Sequence, residues 1–156
     1  MTIKSVILWV HVLCGVVWVG ACATFILAAG ASAGEPEESY TLALRIVPQI
    51  NRLCVPLAFA IPITGIGNLF FAAQGRGAGL PAEFIGIVAA KVVLLVLMTL
   101  ALAAAGRAVH SLIRLPPLGA SDVEDAPSIR RIIASYGVIV GAGILALALG
   151  LWLSGT

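Results

Sequence analysis

Charge is what this chain has least of: Asp, Glu, Lys and Arg make up 10% of its 156 residues, against about a quarter in an ordinary soluble domain. Aromatic residues are 6%, and there are two histidines, two methionines and three cysteines. So few charges exclude a soluble globular domain. The long apolar runs contain no acidic residue, which excludes a carboxylate pair within them, and no hydrolase triad or nucleotide-binding loop is present. A net charge of +2 gives no electrostatic footprint for nucleic acid.

What is there is apolar: 61% hydrophobic residues and a mean hydropathy of +1.12. Four runs, Ser5–Ala29, Leu53–Ala73, Phe84–Ala105 and Ile132–Leu153, each have the ~17–25 residues needed to cross a ~30 Å hydrocarbon core. The expected fold is therefore all-α, an integral membrane four-helix bundle running up-down-up-down as a single transmembrane domain over residues 1–156. A cleaved signal peptide is not expected, although Lys4 precedes a run ending in Ala31-Ser32-Ala33. That run is much longer than a ~7–15-residue signal core, and it carries Trp9, His11 and Trp18.

Four spans put both termini on one side, with Lys4 and Arg76, and leave Arg45, Arg52, Arg107, Arg114, Arg130 and Arg131 on the other. The positive-inside rule then places the termini outside, as expected for a bacterial inner membrane protein. The first loop, Gly34–Arg52, suits either a short interfacial helix or an extension of the second helix through Pro48. The third loop begins Leu115-Pro116-Pro117-Leu118-Gly119 and is expected to be exposed, while the glycine-rich second loop, Gln74–Gly79, reads as a connector. Small residues mark helix contacts in lipid, so Gly137 and Gly141 are expected to form a close-approach pair, with Gly15, Gly20, Gly65, Gly67 and Ala101–Ala105 acting likewise. Pro56 and Pro62 should bend the second helix and free carbonyls that Thr64 or Asn68 could bond.

Ionisable groups inside a span are costly and mark function. His11 lies six residues into the first span, ~9 Å deep, and Lys91 seven residues into the third, ~10 Å deep from the same face. Starting the third helix at Lys91 would leave a span of only ~22 Å, so this lysine belongs within the core or thins the membrane. The alternative readings are a lysine that snorkels outward and a histidine bonded to a neighbouring helix. His11, Cys14, Gly15 and Trp18 repeat at helical spacing, placing imidazole, thiol, glycine and indole on one stripe. His110 lies ~28 Å beyond Lys91, at the opposite rim. Cys22 and Cys54 fall near that rim too, where they could approach one another as reduced, apolar-like side chains.

The run His11-Val-Leu-Cys-Gly-Val-Val-Trp18-Val-Gly20, then Thr64-Gly65, then Lys91-Val-Val-Leu-Leu-Val-Leu leading to Arg107, resembles the four-helix core of the CopD-like copper-resistance membrane proteins. It is similar also to the core of the HemJ-like haem-associated family. The resemblance implies a haem or copper ligand at His11 and a functional intramembrane cation at Lys91. Three functions are expected to compete. The first is haem b binding for electron transfer, with His11 as axial ligand and Lys91, Arg76 and Trp18 around the cofactor, working with quinone, another subunit or a second copy, as a haem-dependent oxidoreductase or its membrane subunit. The second is copper binding by His11 and Cys14. The third is a non-catalytic subunit of a larger membrane complex.

Overall fold

In a computed structural model the chain is described over residues 2–32, 36–75, 81–114 and 127–155. These form four helices and, among the described residues, no strand: α1 (Ile3–Ala31), α2 (Pro36–Gly75), α3 (Ala82–Arg114) and α4 (Pro127–Gly155). All four are long and apolar enough to cross a membrane, which makes this an integral membrane protein. Each helix overruns its predicted span. Hydropathy marks where hydrocarbon ends, whereas backbone hydrogen bonding carries a helix on through the interface.

The largest overrun is in α2, whose 40 residues extend ~60 Å. The segment before Leu53 is thus an extension of the second helix and not a separate interfacial one, and Pro48, Pro56 and Pro62 all lie inside continuous helix. The third loop, most of the second including Arg76, and Met1 lie outside the described residues.

The helices form a ring: α1 packs on α2 and α4, and α3 on α4 and α2, while α1 and α3 are diagonal and do not meet. One stripe of each helix supplies the core. On α1 it is Trp18, Cys22, Phe25 and Ala29; on α3 it is Met98, Leu102, Ala105, Val109 and Leu112, all at helical spacing. Ala43, Val47, Ile50 and Cys54 of α2 and Ile132, Tyr136, Ile139 and Ala142 of α4 complete it. Tyr136 stacks edge-on against Phe25 at 4.9 Å between ring centroids, and its hydroxyl donates to Asn51 Oδ1 at 3.2 Å, tying α4 to α1 and α2. The fully buried Cys22 and Cys54 are free thiols that face each other, as their matching depth predicts.

Two sequence expectations about helix contacts need correction. Gly137 and Gly141 are exposed, and a Cβ on either would meet nothing within 4 Å. The close approach of α4 is at Gly143 instead, where the Val19 side chain of α1 occupies the space a Cβ would need and Met98 lies 3.5 Å away. Three-residue and four-residue spacings identify glycine stripes, but only the rotation of α4 about its axis selects the one that faces inward. Gly15 and Gly20 likewise meet nothing, whereas Gly65 and Gly67 do receive side chains from α1.

The core is unevenly distributed along the bundle axis. Every buried residue lies in the half nearer the α1–α2 and α3–α4 connections: residues 18–32, 43–54, 98–112 and 132–143. In the half that bears the termini, no described residue of any helix is buried, although the sequence there is at least as apolar.

Candidate functional site

His11 and Lys91 both lie in that terminal half, each on the core-facing stripe of its helix. His11 stands seven residues before Trp18, and Lys91 seven before Met98. Counted from the observed helix starts, they are ~12 Å and ~14 Å in. Both are half-buried.

The imidazole of His11 crosses to α2. Its Nδ1 is 2.9 Å from Thr64 Oγ1, and its Cε1 would be 3.3 Å from a Cβ on Gly65. Glycine at position 65 is what allows the ring to lie against the α2 backbone. The Thr64 hydroxyl has one proton, and it faces two acceptors on its own helix, the carbonyls of Ala60 at 2.7 Å and Ile61 at 3.1 Å. With that proton directed to a carbonyl, Thr64 Oγ1 accepts from His11 Nδ1–H, the tautomer in which Nε2 keeps its lone pair, and the Ile61 carbonyl is a further acceptor beside the ring. These carbonyls are not the one that Pro62 frees, which belongs to Ala58 four residues back, so the expected role of Thr64 in healing a proline break is replaced by orientation of His11.

Lys91 turns to the opposite neighbour. Its Nζ lies where a Cβ on Gly150 of α4 would be 3.0 Å away. His11 and Lys91 therefore rest on different helices, α2 and α4, and are not bonded to each other, yet the ammonium is near enough to act electrostatically on the imidazole. Because Gly150 is five residues from the end of α4, the lysine stem runs toward the terminal face, as a partly snorkelled side chain does. All four helices thus contribute at this level: His11 from α1, Thr64 and Gly65 from α2, Lys91 from α3 and Gly150 from α4.

The other predicted site residues fall as follows. Cys14 is half-buried one turn below His11. Trp18 is wholly buried at the boundary between the packed and unpacked halves, and its Nε1–H has no hydrogen-bond partner among the described residues. Arg76 is outside the described residues, and His110 is exposed at the far rim. Sequence reasoning missed the pairings with Thr64 and Gly150; Thr64-Gly65 was visible as a motif, whereas Gly150 carried no signal beyond being small. No protein-family model, curated protein or solved structure matches this chain.

Proposed function

We propose that this protein binds haem b in the terminal half of its bundle and passes electrons near the outer face of a bacterial inner membrane. In this reading His11 would hold the iron through its imidazole, and Lys91 would supply positive charge for the propionates. The observation that carries it is the 2.9 Å hydrogen bond between His11 Nδ1 and the hydroxyl of Thr64, a hydroxyl that also donates to its own helix. A metal-ligating histidine is typically held through its other ring nitrogen in this way, which fixes the ring and raises its basicity.

The residues present offer one nitrogen donor for such a group. In the tautomer with the proton on Nδ1, Nε2 is the available donor; Lys91 is the one Lys or Arg among the described residues of the four apolar runs, and no described residue of the surrounding half of the bundle is buried. The Trp18 N–H, without a partner among the described residues, adds a buried donor about two turns deeper, and leaving such a donor unmet costs ~1–3 kcal/mol. Haem b supplies a one-electron iron couple when bound. The chain's own part is to orient the imidazole through Thr64, to seat it on Gly65 and to balance carboxylate charge with Lys91. A quinone or a redox subunit is the partner this chemistry calls for. Copper is the weaker reading. His11 and Cys14 come from one helix, and no group of three or more His, Cys, Asp or Glu among the described residues is placed to hold a metal ion.

The visible spectrum of the purified protein decides between these. A Soret band is expected that is lost in His11→Ala and kept in His110→Ala. A Soret band that survives His11→Ala overturns the assignment. Stoichiometric copper without a Soret band moves the conclusion to copper, and neither chromophore nor metal, with a co-purifying partner, moves it to a helical subunit of a larger complex.

A further inference from the structure

A second feature lies at the opposite end of the bundle, far from His11. Between α3 and α4, open to the outside of the bundle, runs a groove of about 580 Å³. It is lined by Leu100, Ala104 and Arg107 of α3 and by Arg131, Ala134 and Ser135 of α4. Among the described residues no acidic side chain lines it. Arg107 is seven residues from the end of α3, and Arg131 four from the start of α4. Their backbone positions are therefore ~6–10 Å from the helix ends, within reach of lipid headgroups for an arginine side chain. From there the groove continues toward the membrane centre over apolar side chains alone.

Two exposed guanidinium groups at headgroup level above a strip of leucine, alanine and valine have the polarity of an anionic amphiphile. Arginine presents a planar fork to phosphate, and basic pockets between helices on this side of a membrane select phosphorylated headgroups. We propose that the α3–α4 groove is a binding site for one anionic phospholipid of the leaflet on the loop side, its phosphate between Arg107 and Arg131 and one acyl chain along Leu100 and Ala104. A generic attraction of the basic rim for acidic lipid would engage Arg52 and Arg130 equally. Both are exposed at the same end of the bundle but do not line the groove.

The test is lipid binding to the detergent-purified protein by native mass spectrometry, with phosphatidylglycerol and phosphatidylcholine of identical acyl chains. Two cations at headgroup level give an expected preference of about tenfold or more for phosphatidylglycerol. Arg107→Gln/Arg131→Gln should abolish the preference, while the charge-matched Arg52→Gln/Arg130→Gln should keep it. Ala134→Leu, which narrows the groove with every charge in place, should weaken phosphatidylglycerol binding, and it serves also if the double arginine variant does not fold. Equal retention of both lipids, equal loss in the charge-matched control, unchanged binding in Ala134→Leu, or competition by excess sodium phosphate would each overturn the proposal.

Discussion

The Thr64 hydroxyl is a single group with a double task, accepting from His11 while donating to its own helix, and its replacement isolates the value of that arrangement. Thr64→Val keeps the shape and removes the acceptor, so His11 Nδ1–H loses its partner. Interhelical hydrogen bonds in membranes are worth ~0.6–1.7 kcal/mol, and the thermal unfolding midpoint in detergent should fall correspondingly, whether or not a cofactor is present. If the imidazole also ligates a metal centre, loss of its orienting partner should weaken that centre by ~10–100-fold, and Thr64→Ser should recover most of both effects. Thr64→Val with no change in either measurement would mean that the bond is incidental. The chemistry of this residue was legible only in part. His11 and Lys91 stand out in sequence because ionisable groups are rare in apolar runs, but the partner of each is a side chain or a glycine far away in the chain, chosen by helix rotation. Depth follows from counting residues, whereas azimuth does not.

At the level of helices the same distinction separates what periodicity reaches from what it misses. The existence and order of four spans follow from run length alone, and the spacing of three and four from His11 to Trp18 marks the inward stripe of α1, whereas the sequence reading named no such stripe on α3. The contact glycine of α4 does not follow from spacing, since Gly137, Gly141 and Gly143 are all small and only Gly143 is buried. Gly143→Ala forces the added methyl against Val19, so α1 and α4 must separate or Val19 must change rotamer. Overpacking of this kind typically costs ~1–3 kcal/mol. Gly141→Ala, which meets nothing, should stay within about 0.5 kcal/mol of the parent. Thermal unfolding of the two variants side by side checks the rotation of α4, and a larger loss at Gly141 would invalidate it. Continuity of α2 through three prolines had two sequence readings, an interfacial helix or an extension. Both satisfy the same pattern of Leu42, Arg45 and Ile46, and what distinguishes them is the contact of Ala43, Val47 and Ile50 with the shared core.

For the whole molecule, the uneven core and the uneven charge point along the same axis. Packing and most basic residues are at the loop end, where Arg52, Arg107, Arg130 and Arg131 ring the well-packed half, while the intramembrane His11 and Lys91 occupy the sparsely packed half beside the termini. Hydropathy is high at both ends and could not have revealed this asymmetry, which depends on how far the helices approach one another. The charge bias predicts a direction across the membrane: basic loop ends resist translocation, so the packed end should be cytoplasmic and the His11–Lys91 level should lie in the outer half of the bilayer. Reporter fusions after Gly155 measure this directly in a bacterial host. Alkaline phosphatase at that position should be active and green fluorescent protein dark, with the reverse for fusions truncated just after Arg114. A fluorescent carboxy-terminal fusion would invert the molecule, moving the imidazole to the cytoplasmic half and the arginine-lined groove to the outer leaflet. Outer-face redox chemistry would then no longer follow from the position of His11, even if its bond to Thr64 stood unchanged.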